Sequence, residues 1–346
     1  MSEAARLGAP WPGAVAVSGG GDSVALMVLL SDWAKARKAR APVVLTVDHG
    51  LQEHSAGDAR SVTARARALG LKAHALHRRG AKPESDIEAQ ARAARYALMG
   101  AWCREQEIAG LYLAHTLEDQ AETFLLRLAR GSGIDGLSAM KTVAPLPSRD
   151  CEGIVLVRPL LGMRRERLRD FLRARGERWV EDPMNADLRF ARARVRAAWP
   201  ALDSIGLSPA RIAAAARHLG RAREVLDRAT QQVLAEGCRF EEGAVFFDSA
   251  RFAAAPSETG LRALSSVLMA VSGREYRPRF ERLLGLYEAV CRSGLKGGRT
   301  LHGCRIAPAG KRVACFGPGT LCVTSEKSRG AKRGGRRESP EKSLQN

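Results

Sequence analysis

Short, mostly apolar runs alternate with longer amphipathic segments in the first half of the chain. The short runs are typical of buried strands, and they occur at residues 14–17, 43–47, 72–76, 111–114 and 154–157. Apolar side chains recur at helical spacing in the segments between them, at 24–30, 55–70, 87–105 and 118–130. Strands that alternate with helices form a parallel sheet covered by helices. The predicted fold class is therefore α/β, with a Rossmann-like parallel sheet.

The pattern changes after residue 200. Residues 200–209 predict a linker, and the amphipathic segments that follow it predict helices at 210–235, 259–272 and 280–292. Short β-like pieces broken by Gly and Pro occupy 299–322, and the end of the chain is rich in Lys, Arg, Gly and Ser. We therefore expect four regions: an α/β domain at 1–200, a smaller helical domain at 201–295, a short β-like segment at 296–324 and a disordered basic tail at 325–346.

Positive charge is the exceptional feature of the composition. The chain has 56 Lys and Arg against 37 Asp and Glu, a formal charge of +19. Such an excess favours a polyanionic partner, with a membrane surface as the competing interpretation. No apolar stretch approaches the roughly 20 residues of a spanning helix, and residues 1–12 lack the pattern of a signal peptide. We therefore expect a cytoplasmic protein with no membrane partner.

The seven cysteines support the same expectation. They are scattered, form no C-x-x-C pair and have no zinc-ligand spacing with histidine. An odd number of scattered cysteines without an export signal indicates reduced thiols.

A glycine-rich loop lies between the first predicted strand and its helix. Glycines let a backbone approach phosphate oxygens, and a helix N-terminus attracts anions. The last glycine is not followed by Lys, so this is not a Walker loop. An ordinary strand–helix turn is the alternative, but the flanking hydroxyls and carboxylate favour a nucleotide site. The loop residues are Ser18, Gly19, Gly20, Gly21, Asp22 and Ser23.

Acidic residues follow the fourth predicted strand. His115, Asp119 and Glu122 have the spacing i, i+4, i+7 and would share one helix face. Two carboxylates three residues apart can hold Mg²⁺. The alternative is purely structural, since Thr116 and Asp119 also have the spacing of a capping box.

Two groups of arginines could bind phosphate. Arg92, Arg95 and Tyr96 share a face of the predicted helix at 87–105, and further arginines stand at 189, 192, 194 and 196. Guanidinium groups bind phosphate well and stabilise developing negative charge. Taken alone, both groups are equally typical of a solvated surface.

Taken together, these segments resemble the PP-loop ATP pyrophosphatases, and among them the tRNA(Ile)-lysidine synthase family. The resemblance covers about residues 14–200 and rests on SGGGDS at 18–23, VDHGL at 47–51, ARAARY at 91–96, EDQAET at 118–123 and WVEDPMN at 179–185. The chain departs from the family pattern at Gln52, Thr116, Glu118, Met184 and Ala193.

The resemblance implies a reaction with ATP, Mg²⁺, free L-lysine and a tRNA(Ile) that carries the anticodon CAU. The C2 oxygen of cytidine 34 is adenylated by ATP, and the lysine amine then displaces AMP to give lysidine. It also implies that the region at 201–295 contacts tRNA. The implied catalytic residues are Asp22, Arg95, Asp119, Glu122 and Arg194, and Asp22, Asp119 and Glu122 would also hold Mg²⁺. The implied ATP-binding residues are the loop Ser18–Ser23 with His49 and His115, and the implied RNA-binding residues are Arg92, Arg189, Arg192 and Arg196.

Three other functions remain open from the sequence. A related cytidine thiolase would use the same adenylation but deliver sulfur, generally through paired cysteines that are absent here. A small-molecule synthetase of the same fold would not need the concentrated basic charge. A non-catalytic RNA-binding relative would not need the acidic residues. The sequence does not determine the oligomeric state.

Overall fold

The computed structural model divides the chain into two compact units, Met1–Gly220 and Arg221–Asn346. The boundary lies later than the predicted one at 200/201, because short helices follow residue 190 and the first of them packs against the first unit. The structure describes residues 1–48, 55–78, 87–148, 151–181, 187–241, 243–274, 276–293, 295, 297–310, 316–317 and 319–326.

The first unit contains a six-stranded sheet with helices around it. Its strands are β1 Ala14–Ala16, β2 Val43–Asp48, β3 Ala73–His77, β4 Gly110–Tyr112, β5 Val143–Pro145 and β6 Val155–Val157. Its helices are α1 Ser2–Arg6, α2 Gly21–Ala36, α3 Ser55–Ala68, α4 Ile87–Glu105, α5 Leu117–Leu128, α6 Ile134–Leu137, α7 Arg165–Ala174, α8 Ala191–Ala197 and α9 Trp199–Ser204.

The strand order β3-β2-β1-β4-β6-β5 is parallel except for the edge strand β5, which runs antiparallel to β6. The predicted Rossmann-like α/β class and all five predicted strands are confirmed. Strand β5 was missed because three residues that end in proline give almost no periodic signal, and proline suits an edge position.

Alternating side chains of the central strands build two cores, one on each face of the sheet. Val15 of β1 and Val44 of β2 pack with α2, whereas Ala14 and Leu45 pack with Met99 of α4 on the opposite face. This alternation follows from the two-residue period of a strand, and burial on both faces explains the continuous apolar runs. The strands β1 and β4 are parallel neighbours, and the strand order reverses between them, so their carboxyl ends border one crevice.

The second unit corrects the prediction of a helical domain followed by a short β-like segment. It contains one antiparallel sheet of order β7-β8-β11-β10-β9. Its strands are β7 Cys238–Glu241, β8 Ala244–Asp248, β9 Arg299–Leu301, β10 Cys304–Pro308 and β11 Thr320–Ser325. Helix α10 Pro209–Gly237 leads into this unit, which also holds α11 Ser249–Ala254, α12 Ser257–Ser272 and α13 Phe280–Ser293.

Distant pairing explains the error. Strand β8 pairs with β11, in register from Asp248 with Thr320 to Ala244 with Thr324, and local periodicity carries no information about such a partner. Buried Val245, Phe247 and Val323 then join α12 and α13 in a single core. The tail was predicted from residue 325, but Ser325 ends β11, and residues 327–346 lie outside the described residues.

We expect Gly13→Ala to destabilise the first unit. A methyl group at Gly13 would lie 2.7 Å from Cδ2 of the buried Tyr112 ring and 2.9 Å from the carbonyl oxygen of Gly110. Overpacking of this kind costs about 1–3 kcal/mol, and each kcal/mol lowers Tm by about 2–4 °C in a protein of this size. Gly162→Ala is the control, because a methyl group there meets no atom within 4 Å. Equal melting temperatures of the two variants would contradict this packing.

Candidate active site

The glycine-rich loop is closed by its own serine. The Ser23 hydroxyl accepts a hydrogen bond from the Ser18 amide at 3.2 Å and donates one to the Gly20 carbonyl at 2.8 Å. Gly19 has φ +89, a conformation that favours glycine. No side chain caps the first turn of α2, which leaves its amide groups available to an anion. The loop is therefore suited to phosphate, but the Ser23 hydroxyl holds the turn rather than pointing its proton outward.

A cleft of about 200 Å³ lies beside this loop. The Val180 amide donates to the Gly19 carbonyl at 3.0 Å, and a methyl group at Gly21 would lie 3.3 Å from the Trp179 ring. Val17, Met27 and Val62 supply much of the apolar lining. The cleft therefore offers a mainly apolar space next to backbone amides.

Asp119 serves two purposes at the start of α5. Its Oδ2 accepts a hydrogen bond from the Thr116 amide at 2.8 Å, and its own amide donates to the Thr116 hydroxyl oxygen at 3.5 Å, which together form a capping box. The same Asp119 Oδ2 also accepts a hydrogen bond from the Thr116 hydroxyl at 3.0 Å. Its Oδ1 points away from the cap, toward Arg165 and Arg192 at 3.4 and 3.6 Å. The structural interpretation of the Thr116–Asp119 spacing is confirmed, and one oxygen of the same carboxylate is left for the site.

One guanidinium joins the three carboxylates that the sequence singled out. Arg165 Nε donates to Asp22 Oδ2 at 2.9 Å, and its Nη atoms lie 3.4 Å from Asp119 Oδ1 and 3.6 Å from Glu122 Oε1. The Arg165 amide also donates to Glu118 Oε2 at 2.9 Å. The structure therefore brings Asp22, Asp119 and Glu122 together from the N-terminal parts of two different helices, α2 and α5.

Sequence reasoning missed Arg165. The residue lies in none of the motifs or arginine groups that the sequence singled out. The position of Arg165 in the predicted sheet could have indicated it. Residues 158–165 follow the carboxyl end of β6, and that end lies at the same edge of the sheet as the carboxyl ends of β1 and β4.

Helix α8 contributes two further guanidiniums. Arg196 makes two hydrogen bonds to the fully buried Glu122 carboxylate, at 2.7 and 3.2 Å, and Arg192 approaches Asp119. The two arginines are four residues apart and so share one face of the helix. Both were assigned to RNA, yet in this structure they contact the acidic centre.

The structure separates Arg194 from that centre. Its Nη1 donates to the backbone carbonyls of Leu188 and Arg189 at 3.0 and 2.9 Å, and the side chain is exposed. Because α8 is a helix, a residue two positions from Arg192 and Arg196 points elsewhere. The catalytic assignment of Arg194 therefore stays a prediction that its contacts in the described part of the chain do not support. Arg189 is also exposed and pairs with Asp187 at 2.7 Å.

The carboxylates differ in their pKa. Burial raises the pKa of Asp22, and the adjacent Arg165 only partly offsets this effect. Burial also acts to raise the pKa of Asp119, but Arg165 and the Thr116 amide outweigh it and hold the pKa below its usual range. Asp119 therefore stays ionised, whereas Asp22 is the better proton acceptor.

A second group of guanidiniums surrounds Tyr96 and His115. The Arg92 and Arg95 Cζ atoms lie 5.3 and 5.8 Å from the centre of the buried Tyr96 ring. Arg158 is buried and donates to the Lys141 carbonyl at 3.0 Å, and burial lowers the pKa of both Arg95 and Arg158. Burial lowers the pKa of His115 to about 3, which keeps it neutral. The group is a concentration of positive charge suited to a phosphate-bearing ligand.

The described residues give no independent support for a magnesium site at the acidic centre. Asp22, Asp119 and Glu122 each contact the Arg165 guanidinium, and no three His, Cys, Asp or Glu side chains in the described ranges are grouped as metal ligands. The assignment of Mg²⁺ to these three carboxylates stays a prediction. His49, the other predicted nucleotide ligand, lies outside the described residues, as do Gln52 and Met184.

Comparison with known proteins places these features in a family. A family profile described as a PP-loop domain matches residues 12–201. A tRNA(Ile)-lysidine synthase of Ruegeria pomeroyi is 41% identical, over 86% of this chain and 69% of the relative. A tRNA(Ile)-lysidine synthase of a Methylobacterium species is also 41% identical, over 83% of this chain and 84% of the relative.

Among solved structures, the U34-tRNA thiolase NcsA from Methanococcus maripaludis is similar, with a TM-score of 0.50 and 14% identity. The match covers 61% of this chain and 72% of that one. At this identity the likeness supports a common fold and nothing more.

We expect Arg165→Gln to destabilise the protein strongly above pH 4. Removing one partner of a buried ion pair leaves its carboxylates uncompensated, at a cost of about 3–5 kcal/mol. Arg164→Gln is the matched control, because the Arg164 side chain is 66% exposed and lies 4.0 Å from Glu118. The free energy of unfolding, measured in urea, should fall by less than about 1 kcal/mol for the control. Similar losses of unfolding free energy in both variants would contradict the role of Arg165 as a bridge between the three carboxylates.

Wild type and Arg165→Gln should also differ in how their free energy of unfolding depends on pH. A lowered pKa of Asp119 in the folded state contributes stability above the unfolded value near 4, and this contribution disappears as the pH falls through the folded pKa. Arg165 supplies much of that lowering, so the stability difference between wild type and Arg165→Gln should shrink as the pH falls from 6 to 3. A difference that is constant over this range would contradict the electrostatic origin of the effect.

Proposed function

This chain belongs to the tRNA(Ile)-lysidine synthase family of PP-loop proteins, and we propose that it ligates free L-lysine to C2 of cytidine 34 in the CAU anticodon of tRNA(Ile). The observation that carries the proposal is the cluster of Asp22, Asp119 and Glu122 around Arg165, beside a phosphate-binding loop. A loop for ATP next to an acidic centre for an amine is what the reaction requires.

ATP serves to make C2 electrophilic. The C2 oxygen attacks the α-phosphorus, the bond to the β-phosphate oxygen breaks, and diphosphate leaves. The amides of Gly19–Gly21 and the first turn of α2 would hold the phosphates, with the adenine in the cleft beside Trp179. Arg92, Arg95 and Arg158 would receive the negative charge of the departing diphosphate.

Lysine then completes the reaction. Its ε-nitrogen attacks C2, the bond from C2 to the adenylated oxygen breaks, and AMP leaves. Only the neutral amine attacks, so the ammonium must first lose a proton. The negative charge of the three carboxylates is largely compensated by Arg165, Arg192 and Arg196. The site therefore stabilises the lysine ammonium only weakly, which favours its deprotonation. Asp22 accepts that proton, because its pKa is the one that burial raises, and ionised Asp119 orients the amine.

Magnesium enters with the nucleotide in this proposal, as the counter-ion of the ATP phosphates. The basic excess of the chain, which includes exposed Arg189, would attract tRNA. None of the helices in the described part of the chain has the length and apolar character to cross a bilayer. We place the reaction in the cytoplasm, where ATP, lysine and tRNA are available together.

A cytidine thiolase is disfavoured by the cysteines. Burial raises the pKa of Cys103 and Cys238 to about 12 and that of Cys304 to about 11, so their thiols are poor nucleophiles. None of the cysteines in the described ranges has a contact to the acidic centre. A non-catalytic relative would not need the costly arrangement of buried charges described above.

The proposal is tested by incubating the protein with ATP, Mg²⁺, radiolabelled lysine and an unmodified tRNA(Ile) transcript. We expect label in the RNA at position 34, with AMP and diphosphate released in equal amounts. ATP cleavage without lysine incorporation would contradict the proposal and redirect it to another nucleophile. No cleavage at all would leave only an RNA-binding protein.

Two arginines on α8 provide a matched pair for this assay. Arg192 faces Asp119, whereas Arg194 donates to the backbone carbonyls of Leu188 and Arg189. We expect Arg192→Ala to lower kcat for lysine incorporation by about 10²-fold, as for loss of one charge-stabilising group, and Arg194→Ala to stay within a few-fold of wild type. A larger loss of kcat in Arg194→Ala than in Arg192→Ala would support the catalytic assignment of Arg194 and contradict the role inferred from the contact between Arg192 and Asp119.

A further inference from the structure

The segment at residues 139–142 lies between α6 and β5 and belongs to neither element. Backbone groups outside helices and strands need other partners where water does not reach them. Gln120 of α5 supplies both partners for Met140. Its Nε2 donates to the Met140 carbonyl at 3.0 Å, and its Oε1 accepts from the Met140 amide at 2.7 Å. We call these two hydrogen bonds the Gln120 clamp.

An amide side chain is suited to this contact. It offers one carbonyl acceptor and one NH₂ donor, which match the N–H and the C=O of a peptide backbone. Gln120 is only 5% exposed, so the clamp is largely withdrawn from water. An ionised carboxylate could make one of the two bonds, and an apolar side chain could make neither. The clamp therefore fixes the peptide groups on both sides of Met140.

The next carbonyl of the segment, that of Lys141, holds Arg158. Arg158 Nη1 donates to this carbonyl at 3.0 Å, and the Arg158 amide donates to the Thr142 carbonyl at 2.8 Å. The second bond continues the antiparallel pairing of β5 with β6. The Lys141 carbonyl thus stands between two fixed points, with the Gln120 clamp on one side and the paired strands on the other.

Arg158 needs such a fixed contact because its surroundings are unfavourable for a cation. The residue is 8% exposed, and both burial and the nearby Arg92 lower the pKa of its guanidinium. No carboxylate within the described part of the chain pairs with it. A buried charge without an ionic partner depends on hydrogen bonds to polar groups, and the Lys141 carbonyl supplies one.

We infer that Gln120 is a positioning residue for Arg158. By fixing the Lys141 carbonyl, the clamp holds the guanidinium ready for the negative charge that builds up on the departing diphosphate. A charge that is already oriented needs no reorganisation during the reaction. Gln120 itself touches neither nucleotide nor lysine in this account. The inference rests on the proposed function for the identity of the ligand, which is diphosphate.

Binding of inorganic diphosphate to the full chain tests the inference without tRNA or lysine. Isothermal titration calorimetry in the presence of Mg²⁺ would compare wild type, Gln120→Met, Arg158→Gln and the double variant. Each single substitution should weaken binding about 10-fold, as for loss of a hydrogen bond to a charged group. The double variant should bind about as weakly as Arg158→Gln, because both changes remove the same interaction. Losses that multiply, or full affinity in either single variant, would overturn the inference.

Gly13→Ala is the matched control for stability. It should destabilise the same unit through its contact with the Tyr112 ring and yet bind diphosphate like wild type. An equal loss of affinity in Gly13→Ala and Gln120→Met would assign the effect to stability alone and overturn the inference. If Gln120→Met does not fold, Gln120→Glu serves in the same cycle, because its carboxylate still accepts from the Met140 amide but gives the Met140 carbonyl no donor.

Steady-state lysine incorporation separates this inference from the proposed function. Gln120→Met should lower kcat/KM for ATP about 10-fold and leave kcat/KM for lysine unchanged, because diphosphate leaves before lysine attacks. A loss that falls on kcat/KM for lysine instead would assign Gln120 to its neighbour Asp119 and overturn the inference. Wild-type protein that incorporates no lysine would refute the function, whereas the coupling of Gln120 to Arg158 in diphosphate binding would stand.

Discussion

The electrostatic contact between Arg165 and three carboxylates is the constraint on which the candidate active site depends. Asp22 follows β1, whereas Asp119 and Glu122 follow β4, and like charges from the two loops would repel one another in a poorly solvated crevice. A guanidinium can contact several acceptors at once in a fixed plane, which lysine cannot do. The reversal of strand order between the parallel strands β1 and β4 brings these carboxylates together, and Arg165 compensates their negative charge.

The same balance of charge explains how one site could serve two chemical steps. The glycine loop requires an anion, and the acidic centre requires a cation or a neutral amine. Arg192 and Arg196 contact the carboxylates of the acidic centre, and Arg92, Arg95 and Arg158 form a neighbouring positive group around Tyr96 and His115. Positive charge is thus distributed by function: part of it neutralises buried carboxylates, and the rest stays available to phosphate. The net charge of the sequence alone could not distinguish these two groups of arginines.

Sequence patterns predicted the first unit well because its signals are local. Buried strands, a glycine turn and the spacing of Asp119 and Glu122 each lie within a few residues. Arg165 escaped because its partners are distant in the chain. The spacing of the arginines at 192, 194 and 196 also could not show that the helix turns Arg194 away from the other two. The sheet of the second unit escaped for the same reason as Arg165, since β8 pairs with β11 across three intervening helices.

A double-mutant cycle on lysine incorporation is the most direct test of the central claim, which is that Asp22 and Arg165 act as one unit. The cycle compares Asp22→Asn, Arg165→Gln and the double variant by kcat/KM, with melting temperatures measured alongside. The 2.9 Å contact predicts strong coupling, so the double variant should lose little more than the worse single variant. Losses that multiply as for independent sites would contradict the account.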